Sequence, residues 1–175
     1  FKEYVSKVVA KSSIALPDKD ENGNRLVRNH ETALGDLCAD AFRVMMDADI
    51  GIMNGGGIRK PIKAGDITLD NILSVFPWIM AGVPSSIELT DKGEFSKVAG
   101  KYRVTNVQVL NKKTNEYEPL DLNKTYTLGG IDYTILYCGD GFTMFNDSKV
   151  LKAGDASYTD AQMIVDYIEN KLGGT

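Results

Sequence analysis

The residues of this chain best suited to chemistry sit in and around two glycine-rich stretches. Asn54-Gly-Gly-Gly-Ile-Arg59 puts a side-chain amide and a guanidinium at the two ends of three glycines. Ordering three glycines costs more backbone entropy than ordering any other tripeptide. A fold tolerates it where positive φ is needed or where something must approach the backbone closely. Arg59 offers a planar, permanently charged fork that fits phosphate or carboxylate. Arg28 stands just before the most regular helical pattern, and two guanidiniums converging there would make a phosphate site; a solvated loop charge is the plainer reading of Arg28 alone. The second stretch, Cys138-Gly-Asp-Gly-Phe142, holds Asp140 between glycines, either as a turn former or as a carboxylate able to accept two hydrogen bonds from a sugar diol. Trp78 could be core or could offer a stacking face to a planar ring, and Tyr133 is a second aromatic on a loop.

Several chemistries lack their parts. A single histidine, His30, excludes a multi-histidine metal centre. It lies in Asn29-His30-Glu31, a triplet also found in metallophosphoesterases, but here it follows an arginine and reads as a cap or surface residue. No serine or cysteine occupies a hydrolase nucleophile motif. By its own residues the chain reads as a binding surface, not as a complete catalyst.

At 175 residues one domain is expected, and 43% hydrophobic with 25% charged residues suits a globular core. The net charge of −4 argues against a nucleic-acid backbone as partner. No apolar run approaches a membrane span of about 20 residues. Two cysteines, Cys38 and Cys138, make no disulfide framework and are expected to be small buried side chains. The opening Phe1-Lys-Glu-Tyr suggests a piece of a longer protein, so the compartment is not legible from it.

The elements that must position these residues follow from periodicity. Residues 1 to about 17 read as a lead-in and a strand, and Asp18 to Arg28 as a polar loop. Glu31 to Asp47 is the clearest helix, with an apolar stripe through Leu34, Leu37, Cys38, Ala41, Phe42, Met45 and Met46, and Asn29 or His30 as its cap. Ala48 to Met53 is a buried strand that delivers the chain into the glycine loop. Gly65-Asp66 marks a turn, and Thr68 caps a short helix over Leu69 to Val75 that ends at Pro77. Strands are expected over Ser85 to Leu89, Val104 to Leu110 and Thr125 to Leu128, with a hairpin turn at Asn111 to Glu116. Asp160 to Leu172 is an amphipathic helix. Irregular interleaving of strands and helices predicts an α+β domain with a mixed β-sheet flanked by helices.

Taken in order, Glu31-x-x-Leu34-Gly-Asp-Leu-x-x-Asp40-Ala41, Asn54-Gly-Gly-Gly-Ile-Arg59, Gly65-x-Ile-Thr68, Pro77-Trp78, Glu88-Leu-Thr90, Pro119-Leu-Asp-x-Asn-Lys-Thr-Tyr126 and Gly139-Asp140-Gly141-Phe142 span nearly the whole chain. This series resembles the C-terminal, substrate-binding domain of the 5′-nucleotidase family, of the UDP-sugar hydrolase and ecto-5′-nucleotidase type. The resemblance implies that residues 1–175 recognise a nucleotide or nucleotide-sugar. The partner domain would be an N-terminal metallophosphoesterase unit of the same parent chain carrying two divalent metal ions, with no cofactor in the chain itself. It further implies phosphate binding by Arg28 and Arg59, and base and ribose contact by Asn54. Gly56 and Gly57 would form the backbone floor, Trp78 one wall of a base sandwich, and Asp140 would hold the ribose hydroxyls. Tyr133 is the candidate for the second wall, one residue further from the aspartate than in the mammalian-type pattern, with Tyr137 as the fallback. Neither a nucleic-acid partner nor membrane contact is expected, and the location implied is extracytoplasmic.

The chain departs from that pattern in two places. Cys138 replaces the first glycine of Gly-Gly-Asp-Gly, which would tighten the loop or narrow the pocket. Between Thr90 and Val104 the family's helix and strand pair are missing, which reads either as residues skipped near 90–94 and 102–103 or as a pared-down variant. Two other functions fit the same motifs: a diverged non-catalytic binding module, and a relative acting on cyclic phosphodiesters (a 2′,3′-cyclic nucleotide phosphodiesterase). Bacterial thiosulfate-processing proteins share the architecture too.

Overall fold

A computed structural model describes residues 2–76, 107–145, 148–151 and 159–174. In chain order the elements are α1 (Lys2–Val5), β1 (Val8–Ser12), α2 (Ala33–Met45), β2 (Ile50–Gly51), β3 (Gly65–Thr68), α3 (Leu69–Val75), β4 (Gln108–Asn111), β5 (Glu116–Pro119), β6 (Leu128–Gly129), α4 (Asp132–Ile135) and α5 (Asp160–Asn170), with short 3-10 turns at Leu26–Arg28, Gly139–Gly141 and Thr143–Phe145. The architecture is α+β. Strands pair in twos: β1 with β3 antiparallel, β2 with β6 parallel, and β4 with β5 antiparallel.

The core lies where α2 meets α5, and α3 and the β1–β3 ribbon complete it. Leu34, Cys38, Ala41 and Phe42 form the buried stripe of α2, and Ile164, Val165 and Ile168 face them from α5, with Ile58, Ile72 and Val75 filling the remainder. Each fully buried Leu, Ile or Phe contributes roughly 1.5–3 kcal/mol of transfer free energy. Cys38 is completely buried, as its place on the stripe predicts, and its thiol is driven far above the usual cysteine range by loss of water. Met46, expected on the same stripe, lies beyond the last helical turn and is exposed.

Helix α2 starts two residues later than its pattern suggests. Thr32, extended at φ −144 and ψ 145, caps it by accepting a 3.1 Å hydrogen bond from the Gly35 amide. Asn29 and His30 are not the cap: their amides both bond back to the Leu26 carbonyl and close the preceding 3-10 turn. The helix ends with Asp47 in the left-handed region at φ 50, the Ala48 amide returning to the Arg43 carbonyl at 2.8 Å. Lys112 of the β4–β5 hairpin donates to the Asp47 carbonyl and carboxylate at 2.7 and 2.8 Å, tying the hairpin to that end.

Thr68 caps α3 in a reciprocal box with Asn71, as expected, and the helix stops at Val75, with Phe76 leaving the helical region at φ −119, ψ 66. Gly65-Asp66 is not a turn but the start of β3, Gly65 pairing with Ser12. The Asp18–Arg28 stretch is more ordered than a polar loop. Asp20 accepts the amides of Asn22 and Asn24, Lys19 bridges to Arg25, and Val27 and Asp18 are buried. The strands predicted over Ala48–Met53 and Thr125–Leu128 shrink to two residues each, because only Ile50–Gly51 and Leu128–Gly129 find one another. Helix α5 ends at Asn170, leaving Leu172 exposed on the following turn. The predicted strand Ser85–Leu89 and the two readings of the 90–104 stretch lie outside the described residues.

Candidate functional site

The parallel pair β2–β6 sets side by side the strands that lead into the two glycine-rich stretches. Ile50 pairs with Leu128 and Gly51 with Gly129, and the Ile52 amide extends the ladder to the Gly129 carbonyl at 2.9 Å. Asn54-Gly-Gly-Gly therefore leaves the C-terminal end of one strand beside the point where Gly130, Tyr133 and the Gly139–Gly141 turn leave the other. Crevices outside the carboxyl ends of parallel strands are the usual ligand sites of α/β folds.

The Asn54–Arg59 loop is held by a close approach of two backbones. A Cβ on Gly55 would collide with the Val27 carbonyl and crowd the Arg28 Cα at 3.0 Å. The three glycines of the loop are absent from the positive-φ positions, so close approach rather than unusual dihedrals explains Gly55. Gly56 differs: a Cβ there would meet the Asn54 amide at 3.4 Å and the Arg28 guanidinium at 3.5 Å, both ordinary contacts. Asn54 shapes the loop, its Oδ1 accepting the Gly57 amide at 2.7 Å while its carbonyl accepts the same amide at 3.0 Å. The Arg59 amide donates to the Val75 carbonyl at 2.9 Å, anchoring the loop's far end on α3. Arg28 and Arg59 are both exposed and make no side-chain hydrogen bond or ion pair with the described residues.

A third arginine, which sequence reasoning missed, belongs to this cluster. Arg25 is half-buried, and its Nη2 donates to the carbonyls of Gly55, at 3.4 Å, and Ile58. Desolvation pushes its pKa below the usual arginine value, the charges of Arg28 and Arg59 push it further the same way, and Asp18 opposes them. The three guanidiniums thus share one electrostatic neighbourhood. The available signal was its spacing of three residues from Arg28, which in a polar loop carries no directional information.

Beyond β6, Tyr133 lies on the single helical turn α4, not on a loop, and its ring packs against Gly139, where any Cβ would overlap it. Tyr137 is 72% exposed. Cys138 is half-buried, not buried as expected, and holds the left-handed conformation at φ 53, ψ 29, which glycine adopts without strain. Gly141 also has positive φ, at +82. The Asp140 backbone belongs to the 3-10 turn between them, whereas its side chain and the whole of Trp78 lie outside the described residues. Among the described residues, no group of three or more His, Cys, Asp or Glu side chains is placed to hold a metal ion, and no helix is long and apolar enough to cross a membrane.

With this geometry in hand, similarity to known proteins is decisive. The family described as 5′-nucleotidase, C-terminal domain, matches residues 8–79, which hold β1, α2, the glycine loop and α3. Protein UshA of Escherichia coli is 33% identical over 152 residues, covering 73% of this chain and 28% of its own length.

The chain belongs to the 5′-nucleotidase C-terminal domain family.

A 5′-nucleotidase of Vibrio parahaemolyticus is 28% identical over 174 residues, covering 87% of this chain and 29% of its own length. The crystal structure of a 5′-nucleotidase precursor from Thermus thermophilus superposes with a TM-score of 0.67 over 96% of this chain and 37% of its own, at 24% identity, and so shares the fold. This 5′-nucleotidase C-terminal domain therefore spans about 30% of the length of the curated relatives it matches.

Proposed function

We propose that this domain recognises a nucleotide or nucleotide-sugar and presents its phosphate ester to a separate dimetal catalytic domain of a 5′-nucleotidase-type phosphohydrolase. The observation that carries this reading is the parallel β2–β6 pair, whose two strands run on into the two glycine-rich stretches. Three arginines gather at the Asn54–Arg59 loop on one side, and Tyr133 rests on the turn that contains Asp140 on the other. Arg28 and Arg59 hold the phosphate through charge-assisted hydrogen bonds, and the loop's glycines let it approach the backbone. Tyr133 and Trp78 stack on the base, Asn54 touches base and ribose, and Asp140 takes the ribose hydroxyls. The two divalent ions expected on the catalytic domain would supply Lewis-acid and water-activating chemistry. This chain's task is to bind, orient and deliver. An extracytoplasmic setting belongs to the same reading.

Titration calorimetry with AMP, UMP and UDP-sugars tests it. Heat of binding is expected, with Trp78→Ala weakening base-containing ligands far more than inorganic phosphate. No heat with any of them would support a diverged, non-catalytic module instead. The chain alone is expected to show no hydrolysis with added Mn²⁺ or Zn²⁺; turnover would contradict the division of labour.

A further inference from the structure

We infer that Arg25 is a positioning residue: by bonding the carbonyls of Gly55 and Ile58 it fixes the glycine loop on the 25–28 turn and so sets how Arg28 and Arg59 meet a phosphate-bearing ligand. The inference rests on the nucleotide reading above for its ligand, but its structural half stands on this chain alone.

Three observations support it. The Nη2 of Arg25 reaches two carbonyls within the same loop, Gly55 near its start and Ile58 just before Arg59. It therefore spans the segment whose ends carry Asn54 and Arg59. The loop also lies directly on the Val27 carbonyl and the Arg28 Cα, with no space for even a methyl group at Gly55. A shift of the loop would move it relative to Arg28 as well. Finally, Arg25 is held where a freely placed arginine would not stay. Its Nε is buried with no hydrogen-bond partner among the described residues, and it sits near two other guanidiniums. The nearby opposing charge is Asp18, 4% exposed. A cation kept in such surroundings is costly unless its donors are needed where they point. The Nη2 donors of Arg25 are spent on loop carbonyls, whereas Arg28 and Arg59 are exposed and make no such bond with the described residues.

Amide hydrogen exchange and calorimetry on the full 175-residue chain distinguish positioning from direct binding. In Arg25→Met without ligand, the Gly57 and Arg59 amides should exchange about tenfold faster or more, while the α2 and α5 amides keep their protection. The same variant should lose about tenfold or more in AMP affinity, with adenosine affinity changed much less. Arg25→Lys, whose ammonium can also donate to carbonyls, should recover loop protection and AMP affinity together. Unchanged loop exchange in Arg25→Met would overturn the inference, and unchanged exchange together with loss of AMP binding would make Arg25 a direct ligand. Equal acceleration throughout the chain would overturn it too. If the unaltered chain binds neither AMP nor adenosine, the nucleotide reading fails, and loop exchange still decides whether Arg25 positions the loop.

Discussion

The Ile52 amide donates to the Gly129 carbonyl across 2.9 Å, one step beyond the last paired residues of β2 and β6. This bond marks where two segments distant in sequence run side by side. Past it, one segment enters the Asn54–Arg59 loop and the other leads to Tyr133 and the Asp140 turn. The following consequences depend on that junction and on the loops it releases.

Asp49 guards the junction. Its carboxylate accepts the Thr127 amide and hydroxyl, both at 2.8 Å, and these bonds, with a smaller contribution from Lys112, hold its pKa below the usual carboxylate range. A pKa depressed on folding contributes stability above the unfolded value of about 4 and loses it as pH falls through the folded value. Asp49→Asn should therefore be less stable than the unaltered chain at pH 7, and the difference should shrink steadily below about pH 4. Urea unfolding at both pH values checks this; a difference that grows on acidification would contradict it.

Adjacent glycines in the first loop should respond to very different extents. Gly55→Ala drives a methyl into the Val27 carbonyl and should cost at least about 2 kcal/mol, the scale of overpacking a filled site. Gly56→Ala meets only ordinary contacts and should stay within about 1 kcal/mol of the parent. Denaturant midpoints of the two variants are the readout.

Cys138 stores backbone strain. Replacing it with glycine removes a left-handed Cβ clash worth roughly 1–2 kcal/mol, partly offset by the greater entropy of glycine in the unfolded chain. Cys138→Gly should raise the unfolding midpoint slightly, whereas Cys138→Val, β-branched at the same φ, should lower it. Thermal unfolding of the pair under reducing conditions tests the sign.

Gly139 carries Tyr133. In Gly139→Ala the new methyl must displace the tyrosine ring. If Tyr133 stacks on a base, AMP and adenosine should both weaken about tenfold, in line with stacking worth about 1–3 kcal/mol, and inorganic phosphate should bind unchanged. Calorimetry with the three ligands separates a displaced wall from a general loss of fold.

Much of this was legible before any coordinates. The α2 stripe through Leu34, Cys38 and Phe42, the Thr68 cap and the α5 face come from local periodicity and capping chemistry, which a sequence displays directly. Asn29 and Thr32 are both good caps by residue type, and what decides for Thr32 is that the preceding 3-10 turn uses the Asn29 and His30 amides. The brevity of β2 and β6 could not be read because parallel pairing is a property of two segments. Arg28 and Arg59 stood out by their neighbours in sequence, whereas Arg25 gains its meaning only from Gly55 and Ile58, about thirty residues away. Cys138 looked like a buried apolar side chain because composition says nothing about φ.

The central claim is that Arg28 and Arg59 face a phosphate across the glycine loop. Calorimetric titration of Arg28→Ala and Arg59→Ala with AMP and with adenosine tests it most directly. Each substitution should weaken AMP roughly tenfold to a hundredfold, the worth of a charge-assisted hydrogen bond, and leave adenosine nearly unchanged. Equal losses for both ligands, or no loss for either, would contradict the account.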